Sequence, residues 1–223
     1  MKRLLLLLLF IVPVAVNAEP PSKVAWTPEA LKFVKNGNLD KGKELAESCK
    51  SCHGDKGQGM KAEIIDDETL PSIPALAGQV ANYTYKQLRD YADGSRSHIQ
   101  MTGVAKGLTE QDAADLAVWF GSLPAVENKS GKQNLDRAEK MVEQGDGKRI
   151  LPPCFVCHGS KGQGEKQDIP ALAGQHADYF TRTLLEYKNG QRHNDVYSRM
   201  RLIVQQLSND EIKELALYYQ QLK

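Results

Sequence analysis

Hydrophobic positions in this sequence recur at helical spacing, and the runs end at recognisable stop signals. Residues 80–93 carry Tyr83, Leu88 and Tyr91 on one helical face and are followed by Gly94. A glycine directly after such a run is a common C-terminal residue of a helix. The same pattern returns over residues 176–189, before another glycine. Both segments are therefore predicted to be helices, and a shorter helix is predicted from residue 38 or 39 to the first cysteine.

The last helix of each half has a start signal. Thr109 is followed three residues later by Asp112, and Ser208 by Glu211. The second pair is a full capping box, and the first has Asp in place of Glu. The apolar faces that follow are formed by Ala113, Leu116, Ala117 and Phe120, and by Ile212, Leu215 and Tyr219. No segment alternates as a strand would, so the predicted class is all-α.

An internal repeat relates the two halves of the chain. Residues 73–79, Ile-Pro-Ala-Leu-Ala-Gly-Gln, recur unchanged as residues 169–175. The first copy has nine additional residues around 62–70, and the second has nine around 145–153. Length differences of this kind are tolerated in surface loops, so both insertions are predicted to be loops.

The repeat defines the domain organisation. Two domains are expected over residues 38–123 and 134–223, joined by a polar linker over 124–133 that has no apolar periodicity. Residues 19–37 precede the first copy and form an N-terminal extension.

The N-terminus reads as an export signal. Lys2 and Arg3 precede an apolar run over residues 4–16, and small residues then allow cleavage after Ala18. The run is shorter than the roughly 20 apolar residues of a spanning helix, although an uncleaved anchor is the alternative. Residues 1–18 are therefore predicted to be a signal peptide, and the mature protein is expected in the periplasm.

Charge excludes one class of partner. Removal of residues 1–18 leaves 27 basic and 28 acidic residues, a net charge of −1. A nucleic-acid-binding protein usually shows a basic patch or stripe, so no nucleic acid is expected as a partner. Two small domains with few aromatic residues also favour an added staple such as a metal or a cofactor.

Each half contains the motif Cys-x-x-Cys-His. It occupies residues 49–53 and 154–158 and uses all four cysteines of the chain. Two thiols about one helical turn apart can each form a thioether bond to a haem vinyl group, and the adjacent imidazole can then bind the iron. The motifs predict two haem c groups, attached at Cys49 and Cys52 and at Cys154 and Cys157, with His53 and His158 as iron ligands.

Three other interpretations use the same residues. Structural disulfides and a redox-active dithiol are both compatible with paired cysteines in an exported protein. Neither explains a histidine directly after each pair. A zinc site needs four ligands, whereas each motif supplies three. Haem attachment therefore remains the favoured interpretation, with the dithiol as the main alternative.

Met101 and Met200 are the only methionines at equivalent positions in the two copies. Each follows the middle helix and precedes the capped last helix, where a loop can fold over a haem face. A lone methionine is usually core filler, but paired placement in polar segments favours iron ligation. His98 and His193 are the rival ligands. A buried haem with histidine and methionine ligands is expected to have a raised potential and no open iron site.

On these residues the sequence resembles the dihaem cytochrome c4 family, over all of the mature chain except residues 19–37. The resemblance implies two tandem class I cytochrome c-like domains, each wrapped around a covalently bound haem. The resemblance implies that the carbonyls of Pro74 and Pro170 accept the Nδ1 proton of the motif histidines. It also makes Arg96 and Arg192 candidate partners of the haem propionates. Surface positions are the alternative for both arginines. The extension and the insertion at 62–70 depart from the family pattern.

The resemblance also implies a function. The expected role is a one-electron carrier between a respiratory donor, such as a quinol-oxidising complex, and an acceptor, such as a terminal oxidase or periplasmic reductase. No catalytic residue and no small-molecule substrate are expected, and peripheral membrane association is left open. The alternatives are the cytochrome subunit of a flavocytochrome c-type sulfide dehydrogenase and a dihaem enzyme that acts on peroxide or thiosulfate.

Overall fold

The computed structural model describes residues 22–128, 133–165 and 167–222. The predicted signal peptide over residues 1–18 lies outside these ranges. Within them the chain is mainly helical, and none of their helices is both long enough and apolar enough to cross a bilayer. The predicted all-α class is confirmed, with one small exception in the first domain.

The described part of the first half, residues 22–128, contains six α-helices. They are α1 (Pro28–Lys35), α2 (Leu39–Ala46), α3 (Lys50–His53), α4 (Ala81–Asp93), α5 (Met101–Lys106) and α6 (Glu110–Ser122). The second half repeats the order from the second helix onward. Its helices are α7 (Asp136–Gln144), α8 (Phe155–His158), α9 (Ala177–Lys188), α10 (Arg199–Val204) and α11 (Asn209–Gln221). Single 3-10 turns span Glu47–Cys49, Gly147–Arg149 and Val196–Ser198.

The helix ends follow the signals in the sequence. Gly94 ends α4 in the left-handed conformation at φ 83°, which a residue without Cβ adopts without steric cost. Both capping boxes form. In α6 the Thr109 hydroxyl accepts from the backbone of Asp112, whose carboxylate accepts from the backbone of Thr109. Ser208 and Glu211 make the same pair of bonds at α11, so Asp serves as well as Glu here.

The insertion at 62–70 is not the plain loop that was predicted. It forms an antiparallel hairpin of β1 (Glu63–Ile65) and β2 (Glu68–Leu70). Asp66 and Asp67 form its two-residue turn, with φ of 49° and 64°. Two successive left-handed residues match the right-handed twist of a hairpin, and Asp tolerates this conformation better than most residues. The hairpin leaves no alternating pattern in the sequence because each strand is only three residues long.

The other insertion and the extension are also ordered. Within residues 145–153, Asp146 pairs with Leu151 in an isolated β-bridge. Residues 22–37 contain α1, which the hydrophobic pattern did not predict. This segment packs on α4 and α6, where Val34 is fully buried beside Tyr85 and Ala114.

The two domains share a reciprocal interface. The Gln79 side chain accepts from the backbone of Ala171 at 2.8 Å and donates to its carbonyl at 3.1 Å. Gln175 makes the same two bonds to Ala75, at 3.0 and 3.1 Å. The repeated segments 73–79 and 169–175 therefore bond to each other in the same way in both directions, as in an approximate two-fold arrangement.

The start of the linker lies against this interface. Gly174, at φ 71°, approaches the linker so closely that a Cβ there would lie 1.8 Å from the carbonyl oxygen of Val126. Asn128 also donates to the Gly174 carbonyl at 2.7 Å. The positive φ and the close approach of Val126 both require glycine at 174. The contacts of Val126 and Asn128 hold the start of the linker against the second domain.

Candidate functional site

The first motif lies on a short helix. A 3-10 turn ends at Cys49, α3 carries Cys52 and His53, and Gly54 ends it at φ 81°. The His53 ring is buried, and its Nδ1 lies 2.9 Å from the Pro74 carbonyl oxygen. A carbonyl can only accept, so Nδ1 carries the proton and Nε2 keeps its lone pair. Burial lowers the pKa of His53, which favours the neutral imidazole that ligates metals.

The second motif has the same geometry. Cys154 precedes α8, which carries Cys157 and His158. The buried His158 ring places Nδ1 3.0 Å from the Pro170 carbonyl oxygen, and burial lowers its pKa. The structure thus brings each motif histidine to the proline carbonyl that the resemblance implied, with Nε2 available to an iron ion.

No disulfide joins any of the four cysteines, which opposes the structural-disulfide interpretation. Burial raises the pKa of Cys49, and it raises that of Cys154 to about 11. A redox-active dithiol depends on a lowered thiol pKa, so these shifts oppose the dithiol interpretation. The described residues also contain no cluster of three or more His, Cys, Asp or Glu side chains that could hold a metal. Neither a dithiol nor a zinc site is favoured by these observations, and haem attachment through the motif remains the interpretation that accounts for the adjacent histidine.

The two candidate methionines occupy corresponding places. Met101 is the first residue of α5 and Met200 the second of α10, and both side chains are half-buried. Tyr197 and Ser198, just before Met200, have φ of 56° and 57°. Left-handed conformations are uncommon outside glycine and concentrate at functional sites. The rival His98 accepts from the backbone of Gln100 and Met101 at 3.3 Å, and so supports the start of α5.

Surface positions were the alternative for Arg96 and Arg192, and the structure contradicts this alternative. The two arginines are 6% and 2% exposed, because both lie at the domain interface. Each guanidinium also stacks on a tyrosine of its own domain, Arg96 over Tyr91 at 4.6 Å and Arg192 over Tyr187 at 4.5 Å. Their exposure depends on domain packing, which the sequence pattern does not specify.

The interface is rich in uncompensated positive charge. The buried Asp90 carboxylate pairs with Lys86, with 2.6 Å between Oδ2 and Nζ. Neither Arg96 nor Arg192 forms an ion pair with a carboxylate of the described residues. Nη1 of Arg192 is buried without a hydrogen-bond partner there. Buried charges are normally paired, so an anionic group would suit this cluster.

The pKa of the neighbouring Tyr179 is shifted by the same positive charges. Burial alone would raise the pKa of Tyr179. The positive charges of Arg96 and Arg192 outweigh burial, and the pKa of Tyr179 is lowered to about 8. A site that favours a phenolate also favours a carboxylate. The two arginines therefore fit a role as propionate partners, and the two motifs fit thioether attachment and histidine ligation of haem c.

Most residues of the domain interface have no recognisable signal in the sequence. Gln79 and Gln175 belong to the repeated segment, and its identity in both copies was the available signal. Gln87, Asn194 and Tyr179 also bond across the domains. They lie outside any motif, so no signal in the sequence indicated them.

The helix order and the two motifs define a chain built from two c-type cytochrome domains. A model of the cytochrome c family matches residues 39–124 and 145–223, and haem c with iron is the cofactor of that family. The tandem domains and the two cysteine pairs are the basis for expecting two such groups in this chain.

The relatives give a narrower assignment. Cytochrome c4 of Pseudomonas aeruginosa is 32% identical, over 82% of this chain and 88% of that protein. The thiosulfate dehydrogenase electron acceptor of Stutzerimonas stutzeri is 32% identical, over 78% of each. The crystal structure of reduced recombinant cytochrome c4 from Pseudomonas stutzeri matches with a TM-score of 0.73 and 32% identity, over 84% of this chain and 100% of that one. The chain belongs to the cytochrome c4 family of electron-transfer cytochromes.

Proposed function

We propose that this protein is a periplasmic dihaem electron carrier that moves one electron at a time between a respiratory donor and a terminal acceptor. The observation that carries the proposal is the duplicated site: two Cys-x-x-Cys-His motifs, each with Nδ1 of its histidine held by a proline carbonyl at about 3 Å. A quinol-oxidising complex is the proposed donor, and a terminal oxidase or periplasmic reductase the proposed acceptor.

Bound haem c supplies an iron ion that accepts and returns one electron. Cys49, Cys52, Cys154 and Cys157 would hold the haem groups by thioether bonds, and His53 and His158 would bind iron through Nε2. Met101 and Met200 would each supply a second protein ligand to an iron ion and would keep water and small ligands away from it. An iron ion with both protein ligands would leave no place for a substrate to react, so the proposed role is electron transfer without catalysis.

The protein's location is part of the proposal. Residues 1–18 direct export, cleavage follows Ala18, and haem is attached in the periplasm. Mass spectrometry of protein exported in a host with the attachment machinery should show a mature N-terminus at Glu19 and two added haems. A colourless mature protein would refute the haem sites, and an intact N-terminus would refute the cleavage.

The ligand assignment is tested by replacing each methionine. Met101→Ala or Met200→Ala should lower the potential of one haem in an optical redox titration, and should allow carbon monoxide to bind that iron after reduction. Met60→Ala is the matched control, since Met60 has no counterpart in the second domain and is 43% exposed. Stoichiometric carbon monoxide binding by the reduced wild type would contradict the two-ligand proposal.

A second candidate function is the electron acceptor of a thiosulfate dehydrogenase. It is favoured by the relative of that name and by a thiosulfate dehydrogenase structure from Marichromatium purpuratum, with a TM-score of 0.70 and 27% identity over 83% of this chain and 40% of that one. Mixing the oxidised protein with thiosulfate and a thiosulfate dehydrogenase tests this directly. Rapid reduction that needs the enzyme supports the role, whereas reduction no faster than without the enzyme refutes it.

A further inference from the structure

The Gln87 side chain lies between the two buried arginines. Its Oε1 accepts from Nη1 of Arg96 at 2.9 Å and from Nη2 of Arg192 at 2.8 Å. It also accepts from Nδ2 of Asn194 at 2.9 Å. Gln87 is on α4 of the first domain, whereas Arg192 and Asn194 belong to the second. One amide oxygen therefore orients a guanidinium group in each domain.

The tyrosine contacts of the two arginines are equivalent in the two domains, but the Gln87 contacts have no equivalent in the second domain. Arg96 donates to the hydroxyl of Tyr179, and Arg192 donates to the hydroxyl of Tyr83, each at 3.2 Å. Tyr83 and Tyr179 occupy equivalent positions in the two copies. The equivalent of Gln87 is Thr183, which cannot reach as far. The two tyrosines thus each contact one arginine, while Gln87 contacts both.

We propose that Gln87 is a positioning residue shared by both haem sites, which orients Arg96 and Arg192 toward the propionates and so couples the potentials of the two irons. This inference rests on the proposed haem sites. A carbonyl dipole acts strongly on a guanidinium group in a buried environment because water does not screen it. Gln87 is itself only 8% exposed, so a change of charge at this position should be felt in both domains.

The test adds one charge without changing the shape of the side chain. Gln87→Glu places a carboxylate between the arginines, and a nearby anion stabilises the ferric form, so both haem potentials should fall. Gln144→Glu, the same change at an exposed residue of α7, controls for net charge and should shift neither potential by a comparable amount. Both variants are followed by redox titration, with NMR of the haem methyl groups to distinguish the two haems.

The tyrosines supply a second, milder test. Tyr179→Phe removes a hydrogen bond made by Arg96 and none made by Arg192, so it should shift the potential of the first haem more than that of the second. Tyr83→Phe removes a hydrogen bond made by Arg192 and should shift the potential of the second haem more. The inference is overturned if Gln87→Glu moves one potential only, or neither, or if each tyrosine variant moves both equally. Two redox-active haems with unmoved potentials would overturn this inference alone. A wild type without haem would overturn it together with the proposed function.

Discussion

In the first domain, α6 turns Ala113 and Ala114 toward residues 22–37, whereas α11 of the second domain has Ile212 and Lys213 at the equivalent positions. Ala114 is fully buried under the N-terminal segment. Lys213 is exposed, because no segment among the described residues covers α11 on that side. The same helix in two copies therefore has a small residue where a further segment packs on it, and a charged residue where it meets solvent.

The cores differ accordingly. The second domain fills its interior with larger side chains from its own helices, in one continuous cluster that includes Phe180, Ile212 and Tyr219. The first domain has two smaller clusters. One of them depends on Val34 and on Trp26, both from the N-terminal segment. Residues 22–37 thus complete the core of the first domain and are not an appendage to it.

The largest effect is expected in the core of the second domain. Ile212 is fully buried, so Ile212→Ala should lower the free energy of unfolding by about 3 kcal/mol through lost burial and a cavity. Hydrogen–deuterium exchange by mass spectrometry should show the loss in peptides of the second domain. Lys213→Ala is the control and should change stability by less than about 0.5 kcal/mol. A loss for Ile212→Ala as small as that of the control would contradict the packing described.

A smaller effect is expected from the N-terminal segment. Val34→Ala should destabilise the first domain by about 1.5 kcal/mol, since it removes two buried methyl groups. Faster exchange in peptides of α4 and α6 would show it. Lys32→Ala, at an exposed position of the same helix, is the matched control. If both variants exchange like the wild type, residues 22–37 are not part of the core.

The elements of the fold that occur in both copies of the repeat could be predicted from the sequence. The repeat and the capping pairs at Thr109 and Ser208 gave the helix order, because these signals are local and each was present in two copies. The role of residues 22–37 could not be predicted, since the segment has no counterpart and its partner face on α6 shows only small residues. The place of Arg96 was missed for a related reason: its burial is set by the second domain.

The caps themselves should contribute less than the cores. Thr109→Ala and Ser208→Ala each remove an acceptor from the first turn of the last helix, at a cost of about 1 kcal/mol. The loss should appear in the domain that carries the substitution, as measured by urea unfolding and exchange. Thr109→Ser, which keeps the hydroxyl, is the control for the first domain. Losses that appear equally in both domains would show that their stabilities are not separable.

The smallest difference is expected with pH. Hydrogen bonds from Arg149 lower the pKa of Glu211, and the same arginine lowers the pKa of Asp146. In the first domain, Thr109 alone makes the corresponding hydrogen bonds that lower the pKa of Asp112. A carboxyl group with a lowered folded-state pKa stabilises the fold above its unfolded-state pKa, and this contribution is lost as the pH falls.

The start of α11, where two such carboxyl groups share Arg149, should therefore lose stability more steeply below about pH 5 than the start of α6, where no arginine bonds to Asp112. Exchange rates of α11 and α6 peptides, measured between pH 6 and about pH 3 and corrected for intrinsic exchange, compare the two domains directly. Arg149→Gln removes the shared donor and should bring the two slopes together. Equal slopes in the wild type would mean that the partly exposed Arg149 contacts, at 2.8 and 3.0 Å, are screened by solvent to no net effect.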